Sequence, residues 1–404
     1  MNQRAPRFLN QDRAHQVMDS QSLDVLVATT PENVYYLSDY GREPPFHTGR
    51  EHNAALYPRE GAAGAATLFV EQFELPAIAE GRSWVPQVRV ANGGYFNVPE
   101  PVTDEADLRV VAQVEQASSH PQGDRLDGVI SRLTEMGLSG GTIGFDEASV
   151  LMEVQERELL PAARLVYARD TFRAIRVVKM PEEIAALRQS NRTLEVALRG
   201  VTNLIREGTS CGEIVKAFRV LMAGQGALGS HITYGGGSRP FVGSSDLSYR
   251  LKPGDVLFID PAGEWRHYWS DLGRTAFVGA PSAKAERLYG KLRECHEQVF
   301  PELKPGANFQ DLYRLTREAA GGELQAGLLT VLHSMGLEQY DHPRNAKNFG
   351  GGNLVLEPNM VINFETLYFE FPWGVMQLED TYLITEAGPE KLSTLSREPL
   401  AGIG

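Results

Sequence analysis

Short apolar runs bounded by turns fill the first part of the chain, and beyond residue 180 they give way to longer apolar stripes at helical spacing. In the first part, Leu23–Ala28, Ala66–Val70, Val88–Val90 and Gly141–Phe145 read as strands, with Asp127–Met136 between them as a helix. These predict a small α/β domain. From Pro181, which suits a first helical position, Ile184, Leu187, Leu194, Ala197, Leu198, Val201, Leu204 and Ile205 repeat with helical period, and Gly208 is expected to stop the run. Ser210 and Glu213 have capping-box spacing, and Ile214, Val215, Phe218 and Leu221 give the helix that follows an apolar face. Two more helices are expected, from about Ser282 through Leu288, Leu292, Cys295 and Val299, and from about Phe309 through Leu312 and Leu315. Val256–Ile259, Thr275–Val278, Met360–Phe371 and Thr381–Thr385 read as strands. The second half is therefore expected to be a sheet flanked by long helices, an α+β layer arrangement, with the boundary within Ala168–Lys179.

Composition narrows the function classes. A chain of 404 residues suits two domains, and 52 acidic against 39 basic residues leave a net charge of −13 with no basic run, which argues against nucleic acid. Hydrophobic residues at 42% and charged residues at 23% are those of a globular protein. No apolar run reaches the roughly 18 residues of a membrane span. No internal repeat of solenoid or propeller period is visible. The polar start MNQRAPRFLNQDRAHQ lacks a signal-peptide core, and two cysteines, Cys211 and Cys295, cannot build a disulfide framework. A reducing cytoplasm is the expected compartment.

The candidate chemistry lies in the second half. Asp260 ends the apolar run Val256–Ile259, and Asp271 follows eleven residues later, past the aromatic-rich stretch Glu264–Ser270. A strand, a turn and a returning strand would bring these carboxylates together. His333 precedes Ser-Met-Gly-Leu-Glu, Glu365 sits inside the apolar stretch Val361–Phe369, and Glu379 lies in Met376–Asp380. An ionised carboxylate in a dry strand is costly unless it is paired or bound to a cation. Four carboxylates and one imidazole suit two divalent ions sharing a water, and hard oxygen donors with one nitrogen point to Mn²⁺, Co²⁺, Fe²⁺ or Zn²⁺. Such a pair lowers the pKa of the shared water and polarises a carbonyl, the requirements of hydrolysis. Taken singly, each residue reads more readily as a cap, a surface charge or a satisfied core histidine than as a ligand.

Taken in order, GDVLFIDPAGEWRHYWSDLGRT (254–275), HSMGLEQYDHP (333–343), LEPNMVINFET (356–366) and GVMQLEDTYLITEAG (374–388) resemble the metallopeptidases of the pita-bread fold. That family includes methionine aminopeptidase, aminopeptidase P, prolidase (Xaa-Pro dipeptidase) and the metal-free creatinase. RAIRVVKMPEEI (173–184) resembles the start of the catalytic domain in the prolidase branch, and TTPENVYYLSDYG (29–41) resembles its amino-terminal domain. The resemblance implies a creatinase-like α/β domain over 1–172 and a pita-bread catalytic domain over 173–404. It implies that Asp260, Asp271, His333, Glu365 and Glu379 hold two divalent ions, manganese first, with cobalt, zinc or iron as alternatives. Asp271 and Glu379 would bridge the ions, a bridging hydroxide would attack the carbonyl before proline, and Glu365 would shuttle the proton. The implied activity is that of an Xaa-Pro dipeptidase acting on Xaa-Pro dipeptides or short proline peptides, as a homodimer. The alternatives are aminopeptidase P action on longer peptides and a non-catalytic pita-bread binding protein.

Three positions depart from the family pattern. Pro240-Phe241 stands where Pro-His is usual, Tyr340 where a second histidine follows His333, and Gln377 where arginine usually precedes Glu379. By strand alternation Gln377 shares a face with Glu379, so that change falls in the site itself. His231 or His267 could replace the missing histidine. Arg42 and Arg50, in a loop rich in arginine and histidine, are candidates for a substrate carboxylate, as is Arg239 in the glycine turn Gly235–Arg239. Tyr340 and Gln377 are further candidate substrate contacts.

Overall fold

The computed structural model describes residues 7–41, 53–61, 64–91, 102–119, 123–235, 246–344, 353–371 and 373–401. The chain divides into two compact units, 1–176 and 177–404.

In the first unit the strands are β1 Val25–Ala28, β2 Ala54–Pro58, β3 Thr67–Val70, β4 Gln87–Val90, β5 Thr142–Phe145 and β6 Arg164–Tyr167. They form one six-stranded sheet in the order β4-β3-β2-β1-β5-β6. The central strand β1 runs antiparallel to β2 and parallel to β5. Being covered on both faces, it is apolar throughout and wholly buried. The helices are α1 Gln11–Ser20, α2 Pro31–Ser38, α3 Leu75–Ala79, α4 Glu105–Ser118, α5 Arg125–Glu135, α6 Ala148–Glu156 and α7 Arg169–Arg176. Leu126, Val129 and Leu133 of α5 pack on Val25, Val27, Phe69 and Ile143 of the sheet. Two strands escape the sequence pattern: β2 opens on two alanines, and β6 is a half-exposed edge strand that begins with arginine.

In the second unit the helices are α8 Pro181–Thr202, α9 Cys211–Ala223, α10 Ala283–Val299 and α11 Phe309–Gln325. The capping box forms: Ser210 accepts from the Glu213 N–H, and Glu213 accepts from the Ser210 N–H at 2.7 Å. Helix α8 ends before Gly208 rather than at it. Leu204 and Ile205 continue the apolar stripe in a turn, and Gly208, at φ 81°, donates its N–H to Leu251. Cys211 and Cys295 are both buried on helices as packing residues, and burial pushes the Cys295 thiol up to about 11.

The strands of this unit are β7 Leu228–Gly235, β8 Val256–Trp265, β9 Tyr268–Asp271, β10 Arg274–Phe277, β11 Leu328–Ser334, β12 Asp341–Arg344, β13 Val361–Glu370, β14 Gly374–Thr385, β15 Gly388–Lys391 and β16 Leu400–Ala401. They form two five-stranded sheets, one ordered β16-β10-β8-β7 with β9 on β8, the other β12-β11-β13-β14-β15. Helices α8 and α9 cover the first sheet through Leu194, Leu198, Ile214 and Phe218, which pack with Leu257 and Ile259. Helix α10 covers the second through Leu288, Leu292 and Cys295, against Met376 and Leu378. The expected α+β layering is thus observed. The two sheets meet in an isolated bridge in which Gly273 and Glu379 exchange backbone hydrogen bonds of 3.3 and 3.0 Å. Among the described residues, no helix is long and apolar enough to cross a membrane.

Candidate metal centre

Strand register places the first pair of carboxylates. Glu365 of β13 and Glu379 of β14 are direct cross-strand partners, 8% and 1% exposed. Like charges directly opposite one another destabilise a sheet, so this pairing demands compensation.

The second pair comes from the β8–β9 hairpin. Strand β8 does not end at the apolar run but continues five residues past Asp260, through Pro261 and Gly263, both poor strand formers. It reverses through Arg266 and His267, whose φ values of 49° and 68° give the doubly left-handed turn favoured in two-residue hairpins. Asp271 then pairs with Ala262, which puts it diagonally opposite Asp260 on one face.

The histidine comes from β11, where His333 pairs with Asn363 of β13, two residues before Glu365. His333 Nδ1 lies 3.1 Å from the Ser334 carbonyl.

All five predicted residues therefore converge. Ligand atoms of Asp271, His333 and Glu379 lie within 4.8 Å of one another, as do those of Asp260, Glu365 and Glu379, and Glu379 belongs to both groups. Burial first, then the Asp260 and Glu365 carboxylates, push Asp271 well above the ordinary carboxylate range, against the pull of Gln339. Burial and the Asp271, Asp260 and Glu365 carboxylates push Glu379 the same way. The next residue behaves oppositely. Asp380, equally buried, is met by Arg274 at 2.6 Å and Arg397 at 3.1 Å, and against the push of burial the charges of Arg274 and Lys391 hold it below its usual range. One face of β14 thus carries its own countercharge, and the face bearing Glu379 calls for one from outside.

The donor set fits divalent ions. Asp271 is 2% exposed, and its Oδ1 has no hydrogen-bond donor among the described residues. A buried carboxylate oxygen in that state is costly unless a cation takes it.

Several residues brace the cluster. Gln377, fully buried, donates from Nε2 to Glu365 Oε1 and Glu379 Oε2, both at 2.9 Å. The shared face expected from alternation is observed, and both amide hydrogens end on carboxylates. The space for this amide comes from Gly273, where a Cβ would lie 2.5 Å from Gln377 Nε2 and 2.7 Å from Glu379 Oε2.

Sequence reading had missed the other braces. Gln339 donates to Asp271 Oδ2 at 2.8 Å, and Asn363 and Thr381 donate to the Asp271 carbonyl at 3.3 and 3.0 Å. Asn363 and Thr381 carried a signal, since each is a polar residue two positions from a ligand in an apolar strand. Gln339 lies in a turn and carried none. The buried Arg274 donates to the carbonyls of Gly273 and Glu379 and pairs with Asp380, locking the seam between the sheets.

Tyr340 is 38% exposed and sets its ring 4.6 Å from that of His333. Partial burial, with the Asp271, Glu365, Glu379 and Asp260 carboxylates, pushes its pKa above the ordinary phenol value, so it stays a neutral hydroxyl. His267 sits in the hairpin turn and belongs to neither ligand group. Arg42, Arg50, Arg239 and Phe241, and the side chain of His231, lie outside the described residues.

Residues 167–386, more than half the chain, match Metallopeptidase family M24. The chain belongs to this family. Residues 11–178 match the Creatinase/Prolidase N-terminal domain. An M24 chain is an enzyme of the metallopeptidase class, and its metals are divalent ions, which agrees with the acid-rich donor set described above. An Xaa-Pro dipeptidase of Pyrococcus furiosus is 29% identical over 238 residues, 57% of this chain and 67% of that relative. The prolidase of Pyrococcus horikoshii OT3 superposes with a TM-score of 0.74 at 22% identity, covering 96% of this chain and 98% of that one. An Xaa-Pro dipeptidase of Bacillus anthracis gives 0.76 at 20%, again covering 96% and 98%. These likenesses establish the fold, a pita-bread M24 domain with a creatinase-like partner domain.

Proposed function

We propose that this M24 enzyme is a dinuclear Xaa-Pro dipeptidase, with Asp260, Asp271, His333, Glu365 and Glu379 as its metal ligands. One observation carries the reading: Glu365 and Glu379 face each other directly in a buried strand pair, beside a buried Asp271. That arrangement is unfavourable alone and favourable around divalent cations. The names of the Pyrococcus and Bacillus relatives support the substrate class.

Two bound ions would lower the pKa of a shared water towards neutrality and polarise the scissile carbonyl. The chain's own groups do the rest. Donation from His333 Nδ1 to the Ser334 carbonyl would leave Nε2 as the ligand lone pair. Asp271 and Glu379 would be the carboxylates shared between the ions, and Glu379 lies in both groups of candidate ligands. Gln377 holds Glu365 and Glu379 in alignment rather than contacting substrate. Glu365 takes the proton released on attack and returns it to the departing proline nitrogen. Tyr340, neutral at working pH, donates a hydrogen bond beside His333. Manganese is the preferred metal, and the enzyme works in the cytoplasm as a homodimer. Arg42, Arg50 and Arg239 stay candidates for the substrate carboxylate, and the domain division at 172/173 accompanies this reading.

The test is proline release from Ala-Pro and Leu-Pro, with Ala-Pro-Gly as comparison, by chelated protein before and after return of Mn²⁺, Co²⁺ or Zn²⁺. Metal-dependent cleavage of the dipeptides alone supports the proposal. Release of alanine from the tripeptide makes the chain an aminopeptidase P. Silence on all three with two ions bound overturns the peptide reading and points to a non-peptide amide as substrate.

A further inference from the structure

We propose that the buried ion pair Lys179–Asp341 is a positioning device for the metal centre, fixing the turn 335–340 so that Gln339 stays on Asp271 and Tyr340 on His333. The consequence for metal binding rests on the proposed metal centre; the geometric claim does not.

The two side chains are 0% and 1% exposed, with Lys179 Nζ 3.6 Å from Asp341 Oδ2. A buried ion pair gives back little net stability, and an apolar pair of similar volume often does as well. What it supplies is geometry. Asp341 opens β12 opposite Ser334, the residue after His333, at a register shift between His333 and Ser334. The turn between those partners carries both Gln339 and Tyr340.

Gly336 shows how closely the turn rests on the pair. A Cβ there would lie 2.5 Å from Asp341 Oδ2 and 3.2 Å from Lys179 Nζ. Its φ lies outside the left-handed region, so glycine is required by the close approach and not by the backbone angle. From above, the same residue is held through its carbonyl, which accepts the Trp269 N–H at 2.9 Å, two residues before Asp271. The turn is therefore gripped from below by the ion pair, at its waist by β9, and at its tip by the bond from Gln339 to Asp271 at 2.8 Å.

Glu183 completes the underside. It is 1% exposed and accepts from the Met180 N–H at 2.9 Å and from the Tyr268 hydroxyl at 3.3 Å. Tyr268 belongs to the same hairpin as Asp271, so the start of α8 is tied to both β9 and β12. Burial pushes Glu183 up to about 7 against the pull of Lys179.

The experiment uses full-length Asp341→Asn and Lys179→Met, with Lys179→Arg as the conservative rescue. A Lys179→Met/Asp341→Leu double variant leaves neither member of the pair as a buried charge without the other, should the single variants fold poorly. Hydrogen exchange on metal-free protein reads the turn directly. The Trp269 amide, bonded to Gly336, should exchange at least tenfold faster in the variants, with the Glu379 amide at the seam unchanged. Mn²⁺ titration calorimetry then reads the consequence in a double-mutant cycle with Gln339→Ala. Each single variant should weaken binding about tenfold, the order expected of outer-sphere partners, and the combination no further than the weaker-binding single. Uniformly accelerated exchange, or metal affinities that fall additively, would overturn the positioning role and leave a general structural one. A wild-type chain that binds no divalent ion would sink the metal centre, and the exchange arm would still decide the role of the ion pair.

Discussion

Gly273→Ala tests how tightly the centre is assembled. The new methyl would stand 2.5 Å from Gln377 Cδ and Nε2 and 2.7 Å from Glu379 Oε2, closer than carbon atoms pack, and both neighbours are buried in strands. Backbone conformation does not resist the change, because Gly273 is not among the positive-φ residues, and alanine should gain about 0.4–1 kcal/mol by restricting the unfolded chain. Against that stand roughly 1–3 kcal/mol of overpacking. The displaced Gln377 amide also loses at least one bond to a carboxylate, about 1.5–3 kcal/mol for a charged acceptor. The net cost is about 2–5 kcal/mol, or roughly 5–15 °C in Tm for a unit of this size. Thermal unfolding by circular dichroism and Mn²⁺ calorimetry read the two effects, with metal affinity expected to fall about 10- to 100-fold. Adding Gln377→Ala removes the nearer obstacle and leaves only Glu379 Oε2, so the increment due to Gly273→Ala should shrink in that background. A Gly273→Ala protein with unchanged Tm and Mn²⁺ affinity would refute the crowding argument, and full additivity with Gln377→Ala would show that the methyl acts elsewhere.

Three further outcomes follow from the site. Glu365→Gln keeps the volume and removes one of the crowded charges, so the protein should stay folded while proline release falls by at least about 10²-fold, the usual share of a proton-transferring group; near-normal turnover would take the shuttle role from Glu365. Tyr340→Phe preserves the ring beside His333 and removes the hydroxyl; Mn²⁺ stoichiometry should hold while kcat drops about tenfold, and an unchanged kcat would show that the hydroxyl takes no part. Folding raises the Asp271 and Glu379 pKa values in the metal-free protein, so the folded state binds protons more tightly than the unfolded. Their contribution is fully present below the unfolded value of about 4 and is lost as pH rises through the raised folded values. Chelated protein should therefore lose stability as pH rises above about 4, relative to the Mn²⁺-loaded protein, as read by urea midpoints at each pH; parallel midpoints above that pH would contradict the coupling.

What could be read from sequence was whatever a single strand or helix displays along its own length. The long amphipathic helices declared themselves by period, and Ser210 and Glu213 announced a cap that forms as expected. Asp271, Glu365 and Glu379 stood out because a carboxylate in an apolar run has no cheap explanation, and alternation alone put Gln377 on the face of Glu379. The limits of β8 were hidden because Pro261 and Gly263 argue locally against a strand that neighbouring β7 and β9 enforce. Gly273, Gln339 and the pair Lys179–Asp341 were silent for a related reason. Their meaning lies in what approaches them from another element, an amide across the seam, a carboxylate across a hairpin, a backbone resting on an ion pair. Period records burial, and burial says which residues are inside without saying which of them meet. The ligands of this centre were legible because their order and spacing along the chain match a family pattern, although each alone could be a cap, a surface charge or a core residue. The residues that hold the ligands at bonding distance are ordinary alone, and only the junction of the two sheets at Gly273 and Glu379 gives them their role.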